Sequence, residues 1–235
     1  MPPFPEHLDL HKSRNVCRLA WSFPTFPGAS GTGFLIGPRV VLTAAHNIFD
    51  PWHGGWASGL MAFFPDLPPI GNRGSEVADP WVSHADGSPG DAHSPDRGLS
   101  GYDLGVVALQ QAVAGVPPLP VDSGAAGSDL NVAGYPNDPD FPAFVVGELY
   151  GGPTTATFPP FWQPFWQTRL FYPMRTLAGM SGGPVWAAGA GGAVAVGVHT
   201  SYDNRAGGMP DNLGSGLRVS PALKALIDHW LTKYQ

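Results

Sequence analysis

The chain has a single cysteine, Cys17, among its 235 residues. One thiol cannot close an internal disulfide, and no Cys/His spacing suits a zinc site. Its apolar setting, Val16-Cys17-Arg18-Leu19, marks it as a small apolar strand residue. Charge is also scarce: Asp, Glu, Lys and Arg make up 13% of the chain, well below the usual share, which excludes charge-laced helices and coiled coils. The net charge is −6 and Lys/Arg clusters are missing, so the basic face of a nucleic-acid binder is not there. Membrane-length apolar runs are lacking too. The uncharged stretch from Thr176 to Tyr202 is broken by glycines and Pro184, and reads as turns between short strands rather than a membrane helix. No internal repeat of fixed period is visible. The opening Met1-Pro-Pro-Phe-Pro has neither a basic n-region nor an apolar h-region, so no signal peptide is read here.

Turn formers and aromatics are abundant. The chain carries 32 Gly and 27 Pro together with 8 Trp, 13 Phe and 6 Tyr. That many aromatics belong to a buried core rather than to disorder, and the combination points to an all-β protein with many turns. Short apolar or alternating runs predict strands over Val16–Ser22, Thr32–Ile36, Val40–Thr43, Gly59–Phe64, Leu104–Leu109, Leu130–Gly134, Phe144–Leu149, Gln167–Tyr172, Pro184–Ala187, Ala193–His199 and Ser215–Val219. Their spacing suits β-barrels or a sandwich. Ala112 to Gly127, rich in Pro, Gly and Ala, reads as a crossover between two β lobes. Asp86 to Gly101 reads as a long polar surface loop. One helix is expected, at the end of the chain. Ser220 is its N-cap and Pro221 its first residue. Leu223, Leu226, Ile227, Trp230 and Leu231 then form one apolar stripe.

Three segments carry chemistry. In Gly179-Met180-Ser181-Gly182-Gly183-Pro184 the glycines allow a tight turn that aims successive N–H groups at one point, where they can stabilise an oxyanion. Serine itself needs a base to become a nucleophile. In Val41-Leu42-Thr43-Ala44-Ala45-His46 an apolar strand ends in two small residues and a histidine. In Tyr102-Asp103-Leu104-Gly105-Val106-Val107-Ala108-Leu109 an aspartate precedes an apolar strand. Taken singly, each has a plain reading: a Gly-rich hairpin, a turn histidine, a strand-capping aspartate. Their order, His then Asp then Ser, is that of the chymotrypsin-like triad. Gly179 to Gly183 also fits the nucleophile elbow of α/β-hydrolases. That elbow needs a following helix and then an acid and a histidine, whereas Pro-Val-Trp and a Gly/Ala hairpin follow Ser181. Asp228 and His229 are adjacent in a helix and cannot serve as the pair.

The strings TAAH, DLGVVAL and GxSGGPV closely resemble the three catalytic blocks of trypsin-like serine peptidases. Asn47 stands where disulfide-bonded animal trypsins place a cysteine, and the chain is similar to the bacterial branch that includes the glutamyl endopeptidases. Gly54-Gly55-Trp56-Ala57-Ser58, Asn131 to Pro136, Gly197-Val198-His199-Thr200 and Asn212 to Arg218 carry that similarity. The resemblance covers roughly Gly31 to the C-terminus, with the first ~30 residues matching only as a leading strand and arm. It implies an all-β fold of two antiparallel six-stranded barrels with a C-terminal helix. Lobe one then spans about residues 16–111 with His46 and Asp103, the crossover about 112–127, lobe two about 128–219 with Ser181, and the helix about 221–233. The implied chemistry is serine endopeptidase hydrolysis through an acyl-enzyme, with His46, Asp103 and Ser181 catalytic and the N–H groups of Gly179 and Ser181 as oxyanion hole.

The resemblance further implies that Thr176 and His199, with Thr200, bind substrate, and that cleavage after Glu is preferred. An imidazole that can protonate and a hydroxyl donor suit a carboxylate. Arg175, where the family has a small or acidic residue, either points into this pocket or points outward. No cofactor and no metal are expected. His7, His11, His53, His84, His93 and His229 do not cluster at metal spacing, and Asp86, Asp91 and Asp96, which lack the EF-hand pattern, read as solvated loop acids, with a loop calcium site as the alternative. The expected partner is a protein or peptide substrate, with no nucleic acid or membrane, for a monomeric chain. A non-catalytic homologue that binds peptides or a partner is the alternative function, and an enzyme latent until N-terminal processing is a third. The family is mostly exported, while the sequence as written is compatible with the cytoplasm, so localisation stays open.

Overall fold

The computed structural model describes residues 3–9, 13–79, 81, 101–124, 129–138, 140–141, 143–156, 169–189, 191–203 and 213–235. Residues 86–100 of the expected surface loop, with Asp86, Asp91, Asp96 and His93, lie outside the described residues, as do His11, His84, Gln167, Asn212 and residues 125–127.

In chain order the first strands are β1 (Glu6–His7), β2 (Val16–Phe23), β3 (Phe26–Gly37), β4 (Val40–Thr43), the short pair β5 (Phe49–Asp50) and β6 (Gly55–Trp56), β7 (Ser58–Phe63), β8 (Ile70–Val77) and β9 (Gly105–Leu109). Six of them close an antiparallel barrel in the order β2-β3-β4-β9-β8-β7. Strand alternation fills it: Cys17, Leu19, Trp21 and Phe23 of β2 all turn into one core with Leu35, Val41, Val107 and Leu109. The burial of Cys17 pushes its thiol well above the ordinary range, as expected of an inert packing residue.

β4 and β9 read as unbroken apolar runs because both faces are covered. Val41 and Val107 face the barrel interior. Val40, Leu42 and Val106 face a second core shared with Val198, Leu217 and Val219 from the other sheet. A strand buried on both sides loses the polar alternation of a half-exposed one.

The remaining strands are β10 (Asp129–Gly134), β11 (Tyr150–Thr155), β12 (Arg169–Tyr172), β13 (Pro184–Gly189), β14 (Gly192–Asp203) and β15 (Leu213–Arg218). With β1 they form a seven-stranded sheet in the order β1-β11-β10-β13-β14-β15-β12. Beside β1 this second unit has six strands, the expected number, and it is a curled half-barrel. β11 pairs with β10 on one edge and, at its first two residues, with β1 on the other, through Glu6↔Gly151 and His7↔Tyr150.

Phe144–Leu149, expected to be a strand, is a turn. Gly147 is left-handed at φ 93°, and Glu148 N–H bonds to the Val145 carbonyl at 3.1 Å. The strand begins at Tyr150, in YGGPTT, whose two glycines and proline carry no strand signature. Gly151 is required there: a Cβ would lie 2.0 Å from the Val132 carbonyl oxygen. β8 was equally hard to see, since IGNRGSEV is half-exposed and glycine-rich.

The helix α1 (Pro221–Tyr234) is capped by Ser220, whose hydroxyl accepts from Leu223 N–H at 3.3 Å. Leu223, Ile227 and Trp230 enter the core between the two sheets, and Leu226 and Leu231 pack at its edge. A clamp holds the other end. Glu76 of β8 accepts from Trp230 Nε1 and Lys233 Nζ, at 3.2 and 2.5 Å, and from the Tyr234 hydroxyl. Partial burial works against its charge, but these donors together hold the Glu76 carboxyl below the usual range.

Candidate active site

The pairing of β4 with β9 brings two of the expected residues together. Thr43 lies opposite Gly105. His46 follows Thr43 by one short turn, and Asp103 precedes Gly105 by two residues, so both emerge at the same end of the pair. Ala44 and Ala45 are fully buried, and their small side chains let the 3-10 turn Ala45–Asn47 fold against the barrel end. His46 Nδ1 lies 2.8 Å from Asp103 Oδ2, and the His46 backbone N–H donates to Oδ1 at 3.0 Å. Asp103 is completely buried, whereas a quarter of the His46 side chain is exposed. With Nδ1–H given to the carboxylate, the imidazole keeps its lone pair on Nε2, the tautomer a general base needs.

The Ser181 turn precedes β13. Gly179 and Gly182 are left-handed, at φ 88° and 90°. A Cβ on Gly179 would lie 2.6 Å from the Tyr135 carbonyl, and one on Gly182 2.0 Å from the Thr32 carbonyl, so neither position admits a side chain. Each carbonyl from Ala178 to Ser181 has a donor. Asn137 N–H bonds Ala178 O at 2.7 Å, Gly183 N–H bonds Met180 O at 3.0 Å, and Thr32 N–H bonds Ser181 O at 2.8 Å. The Thr32 hydroxyl bonds Gly179 O at 2.8 Å. The Ser181 hydroxyl donates to the Thr200 carbonyl at 3.2 Å.

The histidine turn and the serine turn meet directly. Asn47, next to His46, donates from Nδ2 to the Ser181 carbonyl at 2.8 Å. Neither Asn47 nor Thr32 stood out in the sequence as a site residue.

His199 flanks the serine turn through its backbone: its carbonyl accepts from Gly182 N–H at 2.7 Å and its N–H donates to Gly183 O at 2.8 Å. Its side chain is buried, with Nδ1 2.5 Å from the Tyr172 hydroxyl. Burial, reinforced by the Arg169 charge, lowers the His199 pKa to about 3. The ring is therefore neutral at ordinary pH, contrary to the expectation of a readily protonated imidazole. Burial also pushes the Tyr172 phenol upward, so it stays protonated. Thr176 is buried and its hydroxyl has no protein hydrogen-bond partner among the described residues. The Thr200 hydroxyl accepts from Arg169 Nη2 at 2.7 Å, and Ser215 Oγ accepts from the same nitrogen at 2.8 Å. Arg169 is fully buried in β12; a lone arginine in a short strand gave no sign of this.

The open question of Arg175 resolves toward the N-terminal segment. Its guanidinium lies 4.6 Å from the ring centroids of both Phe4 and Phe141, and its N–H bonds the Pro3 carbonyl at 3.0 Å.

A closed six-stranded barrel, a second curled sheet and a C-terminal helix define the chymotrypsin-like fold. The solved structure of a Glu endopeptidase superimposes with a TM-score of 0.72, at 14% identity over 98% of this chain and 97% of that chain. A thermostable serine protease from an extremophilic microorganism gives 0.72, at 16% identity over 94% and 98%. The protease Anisep from Arthrobacter nicotinovorans gives 0.71, at 15% identity over 98% of each. No curated protein sequence matches the chain. The family model of the trypsin-like peptidase domain matches residues 31–196, and the chain belongs to that family.

Proposed function

We propose that the chain is a serine endopeptidase in which Ser181 is the nucleophile, His46 the general base and then acid, and Asp103 the group that orients His46. The observation that carries this reading is the 2.8 Å contact of His46 Nδ1 with the buried Asp103 carboxylate, on a turn that also touches Ser181. The active site lies in the cleft between lobe one, about residues 16–111, and lobe two, about residues 128–219. The Ser181 hydroxyl turns from Thr200 O toward His46 Nε2 as substrate binds. Oγ attacks the scissile carbonyl carbon while its proton passes to Nε2, and that proton then goes to the leaving amine. Water, deprotonated by His46, cleaves the resulting ester and restores the serine.

The oxyanion hole is assigned to the N–H groups of Gly179 and Ser181. The turn carbonyls are all drawn to other donors, which supports a turn whose N–H groups face the cleft. Such a donor contributes on the order of 10²–10³ in rate.

Substrates are proteins or peptides, and the chain acts as a monomer with cleavage preferred after Glu. The buried Thr176 hydroxyl, without a hydrogen-bond partner among the described residues, and the neutral ring of His199, whose backbone bonds Gly182 and Gly183, support a pocket that offers donors. The His199 ring is hydrogen-bonded to the Tyr172 phenol at Nδ1 and also to the Ser215 backbone, so its N–H reaches a substrate carboxylate by sharing that backbone acceptor. A Glu endopeptidase also stands among the solved structures of this fold. Thr200 contributes through its backbone carbonyl, since its hydroxyl is held by Arg169. A fluorophosphonate probe tests the nucleophile: a competent site is labelled at Ser181, and a non-catalytic peptide-binding homologue is not. Peptide-library cleavage profiling tests the pocket.

A further inference from the structure

We propose that Asn47 is a positioning residue that sets the nucleophile against its base across the two sheets. This rests on the reading of Ser181 as nucleophile. His46 and Ser181 belong to different sheets, so their separation depends on whatever joins the two turns. Asn47 is adjacent to His46 in the chain and bonded to Ser181 in space. The single 3-10 turn Ala45–Asn47 thus delivers the imidazole to Asp103 and an amide to the carbonyl of the serine.

The bonds form a closed ring. Ser181 O accepts from Thr32 N–H and from Asn47 Nδ2, each at 2.8 Å. The other Nδ2 proton goes to Thr43 Oγ1 at 3.0 Å. Thr43 Oγ1 in turn donates to the Thr32 carbonyl at 2.7 Å. The carbonyl of Ser181 can only accept, so the amide nitrogen of Asn47 must face it, and the orientation of the side chain has one solution. Asn47, Thr32 and Thr43 are all buried, where such bonds are rigid and costly to break. Two glycines leave the room this ring occupies. A Cβ on Gly31 would lie 2.7 Å from Asn47 Nδ2, and one on Gly182 2.1 Å from Thr43 Oγ1 and 2.8 Å from Asn47 Nδ2.

A ring of this kind acts on the serine peptide, not on substrate. Its loss leaves the binding surface in place and lets the Ser181 turn drift relative to His46. Displacements of about 1 Å at a reacting centre cost up to roughly 10²-fold in rate. The limiting rate of the chemical step should therefore fall while affinity holds.

The test is labelling of the full chain by a fluorophosphonate probe over a concentration series, which separates limiting rate from half-saturation. Asn47→Asp keeps the shape and removes both donors. Its limiting rate should drop about 10- to 100-fold with half-saturation within about twofold, whereas a purely structural role would lower the folded fraction and leave the rate of the folded protein unchanged. Thr43→Ser, which keeps the hydroxyl, should label like wild type, and Thr43→Val should lose at least about threefold in limiting rate. A folded Asn47→Asp protein labelled within twofold of wild type, or a loss confined to half-saturation, overturns the proposal. Should Asn47→Asp not fold, an undiminished limiting rate in Thr43→Val overturns it instead. Ser181→Ala runs alongside. If it is unlabelled while Asn47→Asp is unimpaired, only the role of Asn47 fails. Label retained by Ser181→Ala, or absent from wild type, removes the nucleophile reading and this proposal with it.

Discussion

The Tyr172 hydroxyl lies 2.5 Å from Nδ1 of His199, with both side chains buried on the same face of the second sheet. β12 and β14 both pair with β15, which sets Tyr172 opposite Gly214 and His199 opposite Gly216. Gly214 on the intervening strand leaves space for the Tyr172 ring, since a Cβ there would lie 2.5 Å from Tyr172 Cε2. The pair locks the imidazole, and burial keeps it uncharged.

The first prediction concerns acid stability. His199 is depressed in the fold to about 3, against about 6.5 in an unfolded chain. The unfolded state therefore binds the extra proton first. Stability from the neutral ring is complete above about pH 6.5 and declines as pH falls toward 3. The slope contributed by this one proton is at most about 1.4 kcal/mol per pH unit. Denaturant unfolding between pH 7 and 4 should show a shallower decline in His199→Gln than in wild type. Parallel curves would mean that the ring is protonated within the native fold.

Ser181→Ala should leave the fold unchanged, since Ala fits the same turn, and lower peptide turnover by on the order of 10⁶. Circular dichroism checks the fold and a fluorogenic peptide assay the rate. Turnover within tenfold of wild type would take Ser181 out of the mechanism.

Asp103→Asn should keep His46 and Ser181 in place but offer an amide where Nδ1–H needs an acceptor. The ring then favours the wrong tautomer, and turnover should fall about 10⁴-fold. Unchanged turnover would reduce Asp103 to a strand-start residue that merely bonds the histidine turn.

Much of the candidate site is legible in the sequence because its parts sit at the ends of strongly patterned elements. The run Leu104–Leu109 is apolar on both faces, and so is Val40–Thr43; a strand of that kind must lie between two cores, and the polar residue at its end is conspicuous. The helix stripe from Leu223 to Leu231 was visible for the same reason. What could not be read depends on contacts far apart in sequence. Asn47 and Thr32 carry no pattern of their own; their importance comes from partners 134 and 147 residues away. Arg169 and Tyr172 lie in a four-residue strand, too short to show a period. β11 forms because β1 and β10 supply its partners, not because YGGPTT favours a strand. The charge state of His199 depends on burial, which the residue type does not reveal.

The last prediction joins the pocket to its chemistry. If the Thr176 hydroxyl and the neutral His199 ring donate to a substrate carboxylate, a peptide with Glu before the cut should outperform its Gln counterpart. The gain comes from hydrogen bonds to a charged acceptor, worth roughly 1.5–3 kcal/mol each, so kcat/KM should differ by about 10- to 100-fold. His199→Ala should remove most of that difference and spare slow cleavage after other residues. The preference should also hold steady as pH rises from 6 to 8. A protonated imidazole would instead lose its grip over that interval, because its charge disappears near pH 6.5. In this fold the pKa of about 3 places that loss far below the working range. Only proximity of the carboxylate in the bound complex opposes this, by drawing a proton onto the ring. A Glu/Gln ratio that collapses between pH 6 and 8 would show that binding recharges His199. A preference for Arg, Lys or large aromatics would remove the Glu assignment and leave the proposed triad untouched, since the roles proposed for His46, Asp103 and Ser181 concern the peptide bond, whatever side chain fills the pocket.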